Sequence, residues 1–326
     1  MADVVGMGAL NEDIIFIIKP GKEEELLKRI KKEGRHNIVT YDDYKDYLEF
    51  QQRVGGGSAT NTIIDLATRR WGCAFIGELG NDETAAFIEK QLNKQGIETL
   101  AKKASGKTGS CGIILHSDGK YSVLFKEGVS DDIELDENML DNVRKCKLFH
   151  SSPFASFKSL NSLKTQVALA AEAKKSGVVV SVAPGRLYAE TFINSDKMEK
   201  RQLVEKLLLN SDIIFINRNE ARMITGEENY EIASEKMIKT FGAKAICITL
   251  GIKGCHVRTA GEKITLEAMD TNPVTTLGAG DAFAAGFIDS YLRGKDIIEC
   301  AKHGNEFASL CVKFIDPNEY LARIKN

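Results

Sequence analysis

One stretch of the 326-residue chain combines glycine, a carboxylate and the entry to a helical run: Thr275-Thr276-Leu277-Gly278-Ala279-Gly280-Asp281-Ala282-Phe283, TTLGAGDAF, followed by AAGFIDSYL. Backbone N–H groups in a Gly-rich turn that runs into a helix lack intrahelical partners, and the helix dipole adds positive potential there, so such a turn cradles an anion. Glycine lets a phosphate approach the backbone, but Asp281 would repel it unless the carboxylate had work of its own. That work is to accept the proton of a hydroxyl attacking phosphorus. On this reading Asp281 is a general base, and Gly278, Ala279 and Gly280 form an anion hole whose Ala279, Gly280 and Asp281 amides bind the charge on the transferred phosphoryl group. The residue types alone leave a plainer alternative, a turn ended by Gly280 and a helix start stabilised by Asp281.

Three more stretches bear on that chemistry. NRNE at 217–220 follows the apolar run DIIFI, at the carboxyl end of a strand, where open α/β sheets bind ligands. Asn217 and Glu220, three residues apart as a helix begins, could hold water ligands of a hydrated magnesium ion, or simply cap that helix. TLGIKG at 249–254 follows the strand-like AICI and offers small residues against which a nucleotide could lie, or an ordinary β-turn. GGGSATN at 55–61 precedes a helix, while Gly8, Asn11 and Asp13 follow the first strand. Polar groups at two such entries suit a polyol, whose hydroxyls need several fixed donors and acceptors.

The elements that must position these residues show a regular alternation. VVGMGA (4–9), AFIGEL (74–79), KLFHSS (147–152), VVVSVA (178–183), DIIFIN (212–217) and AICITL (245–250) read as short strands buried on both faces. Between them lie helical segments such as SATNTIIDLATRR, DETAAFIEKQLNKQ, LKTQVALAAEAKKSG, LVEKLLLN and ASEKMIKTFG. Strands alternating with helices predict an α/β fold with a doubly wound, mostly parallel sheet. Two places break the rhythm. Residues 10–54 hold the strand-like IIFII, a charged helical piece and the aromatic-rich YDDYKDYLEFQQ; residues 108–126 read as a hairpin turning at Ser117-Asp118-Gly119. Together they predict a small antiparallel sheet, a lid, over segments of about 10–54 and 108–130. With no internal repeat or low-complexity linker, residues 1–326 are expected to form one domain.

Composition narrows the function. A formal net charge of -2 offers no long-range attraction to nucleic acid or an anionic membrane. No apolar run approaches the roughly 18 residues of a membrane span, and the N-terminus lacks the pattern of a secretory signal, so a cytoplasmic protein is expected. Seven cysteines without a C-x-x-C pair and five scattered histidines predict neither a disulfide framework nor a zinc site.

Taken together, GGSATN (56–61), NRNE (217–220), TLGIKG (249–254) and GAGDAFAAGF (278–287) make the chain similar, along nearly its whole length, to the ribokinase-like, or PfkB-type, carbohydrate kinases. The resemblance implies a three-layer α/β domain with a β lid, and phosphoryl transfer from a magnesium nucleotide, ATP or ADP, to a sugar or nucleoside hydroxyl. It implies Asp281 as base, Asn217 and Glu220 as the pair linked to magnesium through water, Thr249, Gly251, Gly254 and Asn305 along the nucleotide, and Asn11, Asp13, Gly56, Gly57 and Asn61 on the sugar. A homodimer through the lid is compatible with it. The wider pattern, SVAPGRLYA at 181–189 and GNEFASLC at 304–311, is most similar to archaeal members acting on ribose-type compounds, some on ribose 1-phosphate. For such a substrate Arg186 is a candidate phosphate ligand, against the plainer reading of a surface or core-edge arginine. The family's glycine motif commonly opens with Asp-Thr; Thr275 stands at that Asp here, which leaves activation by a monovalent cation open, and DTNPV at 270–274 could carry a displaced Asp-Thr pair.

Other readings compete. Gly6-Met7-Gly8 after a strand suggests a dinucleotide-dependent dehydrogenase, although the third glycine of that pattern is absent. Ser105-Gly106-Lys107-Thr108 imitates the end of a P-loop without its first glycine. A non-catalytic sugar- or nucleotide-binding regulator on the kinase fold is the third.

Overall fold

The structure, a computed structural model, describes residues 1–33, 41–126, 128–129, 132–153, 159–194, 197–269 and 273–323. The chain begins β1 (Val4–Met7), β2 (Asn11–Ile18), α1 (Glu23–Glu33), β3 (Leu48–Gly56), α2 (Ser58–Thr68), β4 (Cys73–Ile76), β5 (Glu78–Leu79), α3 (Glu83–Lys94), β6 (Glu98–Thr99) and β7 (Lys102–Lys103). It continues β8 (Gly109–Leu115), β9 (Tyr121–Lys126), α4 (Glu137–Lys145), β10 (Leu148–Ser151), α5 (Asn161–Lys175), β11 (Val179–Val182), α6 (Gly185–Ala189) and α7 (Met198–Leu209). The last part is β12 (Ile213–Asn217), α8 (Arg218–Thr225), α9 (Tyr230–Phe241), β13 (Ala245–Thr249), β14 (Cys255–Arg258), β15 (Lys263–Leu266), α10 (Ala279–Leu292) and α11 (Ile297–Cys311).

Nine strands form the main sheet in the order β15-β14-β13-β12-β11-β10-β1-β4-β6. From β13 inward the expected strands are there and parallel, for the reason their sequences imply. Neighbouring residues of one strand enter different apolar clusters, Val4 and Phe75 one, Val5 and Ala74 the other, so the sheet is buried on both faces. The sequence reading places the lid segments as the only departures from the parallel rhythm, and the structure corrects this: β14 and β15 are antiparallel additions at one edge. They are four residues each and half polar, CHVR and KITL, too short and too mixed to stand out as strands.

The strand order reverses at β1, whose neighbours are β4 on one side and β10 on the other. Chains leaving β1 and β10 part there and open a crevice, the usual ligand site of such sheets. Over it stands the lid, β3-β2-β8-β9. Its β2–β3 and β8–β9 ladders are antiparallel as expected, while its central β2–β8 ladder is parallel. Alternation along β2 sends Ile14 and Phe16 into an apolar cluster with Leu26 and Ile30 of α1, and Ile15 into another with Cys111, Ile113 and Leu277. Asn11 and Asp13, four and two residues before Ile15, share its face. The hairpin turns where its sequence predicts, with Gly119 at φ 78°. Its tip reaches the Gly-rich loop, where Thr276 N–H donates to the Gly119 carbonyl at 3.1 Å.

α10 is buried from Ala282 to Ser290 and packs on α11 through two glycines. A Cβ at Gly286 would lie 2.7 Å from the His303 carbonyl oxygen, and one at Gly304 2.8 Å from that of Phe283. Because backbone must move to admit a methyl at either point, Gly286→Ala is expected to cost about 1–3 kcal/mol. Denaturant unfolding of this variant is expected to show a lower midpoint than the parent chain.

Candidate active site

A cavity of about 1210 Å³ lies between the lid and the carboxyl ends of the main-sheet strands. Its wall includes Asn11, Asp13, Asn61, Asn217, Glu220 and Asp281, which the fold brings together from five separate elements.

Asp281 is the third residue of α10, after a turn in which Gly278 adopts φ 72°. Glycine is required at 278 twice over, since a Cβ there would also come within 2.4 Å of Pro317 Cβ. At Gly280 a Cβ would meet nothing within 4 Å; its absence keeps the cavity clear beside the helix amides. The Ala279 N–H turns back to the Thr276 carbonyl at 3.3 Å, so Gly280 and Asp281 are the amides of the proposed anion hole without such a turn contact. The carboxylate of Asp281 is held by α2: Ser58 Oγ donates to Oδ1 at 2.6 Å and Asn61 Nδ2 to Oδ2 at 3.0 Å. Burial pushes its pKa up to about 6, against the pull of those two donors.

Ser58 stands inside GGGSATN yet is missing from the residues picked out of the sequence. The available signal is its spacing from Asn61, which puts both on one helix face. Asn61, expected on the sugar, spends its amide on Asp281 and leaves Oδ1 buried without a protein partner, an acceptor suited to a ligand hydroxyl.

Gly56 and Gly57 serve Asp13 and the turn into α2. A Cβ at Gly56 would lie 1.9 Å from Asp13 Oδ2, and Gly57, at φ 118°, would collide with the Ala9 carbonyl. Burial raises the Asp13 pKa to about 7, helped by the charge of Asp281 and opposed by the Cys111 thiol and the Gly57 N–H. Asn11 Nδ2 points to Cys111 Sγ at 3.8 Å.

Asn217 and Glu220 form a reciprocal capping box at the start of α8. Asn217 Oδ1 accepts the Glu220 N–H at 3.0 Å, while the Glu220 carboxylate accepts from Asn217 Nδ2 at 2.7 Å and Asn217 N–H at 2.9 Å. Burial raises Glu220 to about 7; the Asn217 donors oppose this and the Asp281 charge adds to it. The cap and a place in the cavity wall therefore coexist. Thr249 pairs in register with Asn217 and lines the cavity with Gly251 and Gly254. At Gly254, φ 90°, a Cβ would sit 1.9 Å from the Leu266 carbonyl, which fixes the turn from β13 to β14. Asn305, on α11, lines the cavity while its amide donates to the Glu267 carbonyl at 2.7 Å.

Arg186 is placed differently. Its Nε pairs with Glu190 at 2.5 Å, its side chain is 59% exposed, and it is not part of the cavity wall, although its charge lowers the Glu220 pKa slightly. Thr275 is fully buried and its Oγ1 accepts the Leu277 N–H at 3.1 Å, so it shapes the turn that leads into α10. The suggested upstream Asp-Thr pair, 270–271, lies outside the described residues.

Residues 24–319 match the model of the pfkB family carbohydrate kinases. The chain belongs to that family. As a PfkB kinase it is a phosphotransferase with an alcohol acceptor, acting on a sugar or nucleoside. An uncharacterized sugar kinase of Archaeoglobus fulgidus is 34% identical over 251 residues, 77% of this chain and 95% of that protein. An ATP-dependent ribose-1-phosphate kinase of Halopiger xanaduensis is 27% identical over 268 residues, 81% and 82% of the two chains. The adenosine kinase of Sinorhizobium meliloti shares the fold, with a TM-score of 0.81 over 99% of this chain and 98% of that one at 23% identity. The dehydrogenase and regulator readings fall. Gly6 is glycine because a Cβ would lie 2.4 Å from Ile63 Cγ1, so it serves α2 packing. The P-loop imitation leads into strand β8, with Thr108 Oγ1 donating to Asp82 at 2.7 Å.

A donor lost from Asp281 raises its proton affinity, so Ser58→Ala is expected to move the acid limb of the kcat profile toward alkaline pH by about one unit. Ser58→Thr is expected to keep it in place. Rate–pH profiles of both variants between pH 4 and 8 check this.

Proposed function

We propose that this PfkB kinase transfers the terminal phosphoryl group of a magnesium nucleotide, ATP or ADP, to a hydroxyl of a ribose-type sugar, sugar phosphate or nucleoside. The observation that carries the reading is the Asp281 carboxylate at the N-terminus of α10, held from α2 and sharing one cavity with Asn11 and Asp13. The ATP-dependent ribose-1-phosphate kinase among the relatives favours ATP as donor.

Asn11, Asp13 and the free Oδ1 of Asn61 fix the sugar, which brings one hydroxyl to Asp281. Asp281 takes that proton as the hydroxyl oxygen bonds to phosphorus and the bond to the leaving nucleotide oxygen breaks. A pKa near 6 leaves the carboxylate largely ionised at neutral pH, ready to accept it. The Gly280 and Asp281 amides stabilise charge on the phosphoryl oxygens. An oxygen-only donor set with Glu220 in the cavity wall fits magnesium held through water by Asn217 and Glu220, and the ion would neutralise phosphate charge. Thr249, Gly251, Gly254 and Asn305 leave room for the nucleotide.

Asp281→Asn is expected to keep fold and nucleotide affinity and to lose about 10²–10⁴ in kcat, the range of a general base; steady-state kinetics with nucleotide-binding calorimetry check it. Glu220→Gln is expected to raise the magnesium concentration needed for half-maximal rate with little change in the KM for sugar, as read in a magnesium titration.

A further inference from the structure

On the reading that this chain is a kinase with Asp281 as base, we propose that its acceptor is a nucleoside: an uncharged ribose held at Asn11 and Asp13, carrying a planar base that lies along Phe125 and the apolar row of the lid. The side of the lid that faces the cavity changes character within a few residues. Asn11 and Asp13 supply polar groups near β2, and beyond them come Cys111, Ile113, Val123 and Phe125, all in the cavity wall. Asp13, Cys111 and Phe125 are register partners across β2, β8 and β9, so the ring stands two strand spacings, about 10 Å, from the carboxylate. Phe125 is 38% exposed and belongs to neither of the apolar clusters that the lid forms. The body adds Pro153 and Leu187 from the strand ends beneath. A polar end for hydroxyls that passes into an aromatic and aliphatic wall matches a sugar with an apolar, planar substituent.

Among the described residues the charges disfavour the main competitor. A sugar phosphate brings a dianion, which needs bidentate or clustered cations beside the sugar. No arginine among the described residues lines the cavity, and Arg186 is engaged by Glu190 outside its wall. The two lysines that do line it are exposed, and Lys120 is paired with Asp118. Asp13, Glu220 and Asp281 already bring three carboxylates into the same space, and a nucleotide adds phosphates to it. A bare pentose would leave the apolar row in contact with water.

The test is phosphoryl transfer by the full chain with magnesium and either ATP or ADP. The acceptor panel is ribose, ribose 1-phosphate, ribose 5-phosphate, adenosine, cytidine, guanosine and uridine, with products identified by mass. At least one nucleoside is expected to exceed ribose and both ribose phosphates in kcat/KM by about tenfold or more. Phe125→Ala, at a partly exposed position, is expected to raise the KM for that nucleoside about tenfold while leaving the KM for ribose within about twofold. Preference for a ribose phosphate, or equal weakening of ribose and nucleoside by Phe125→Ala, overturns the inference and leaves the kinase reading intact. Transfer to none of the acceptors overturns the proposed ribose-type acceptor and this inference with it.

Discussion

A carboxylate in the wall of a closed-in cavity needs hydrogen-bond donors to stay ionised, and the requirement that Asp281 have them organises this molecule. Its donors come from α2, more than two hundred positions away in sequence, so two helix N-termini must meet at one point. α10 is set there by Gly286 and Gly304, which let it sink against α11, and by Gly278, which clears Pro317. α2 is set by Gly6, which lets Ile63 close on β1, and by Ser152, whose Oγ accepts the Ala59 N–H at 2.9 Å. Glycines remote from Asp281 thus do as much to locate its carboxylate as the motif that contains it.

The same carboxylate sets the electrostatics of its neighbours. Asp13 and Glu220 are buried acids that the charge of Asp281 makes more reluctant to ionise, and their partial compensation comes from amide and thiol donors. Three acids in one cavity concentrate negative charge there; under the proposed function a sugar hydroxyl at Asp13 and a hydrated cation near Glu220 would each offset one of them. The lid completes the enclosure through the contact of Gly119 with Thr276, three residues before the N1 position of α10. The lid hairpin and the turn into α10 are therefore joined through the same loop.

How much of this was legible in the sequence follows from the range of the interactions. A glycine turn entering a helix, strands buried on both faces and a hairpin at Ser117-Asp118-Gly119 depend on residues within a few positions of one another, so TTLGAGDAF, the parallel strands and the lid could be read from pattern. The edge strands β14 and β15 could not, because four half-polar residues carry no distinctive period. Nor could the fate of single side chains. Asn61 was expected on the sugar and half of it serves Asp281; Asn305 turns its amide to Glu267; Arg186 pairs with Glu190 away from the cavity wall.

By itself the sequence determined the alternation of elements, the helix-entry glycines and the acid beside them, since local backbone sterics and burial period are written residue by residue. Only the tertiary structure decided that Ser58 and Asn61 grip Asp281, that Phe125 lines the cavity partly exposed, and that no arginine of the described residues joins it there. Such facts depend on distances between segments far apart in the chain, which the packing of the whole sheet and its helices sets.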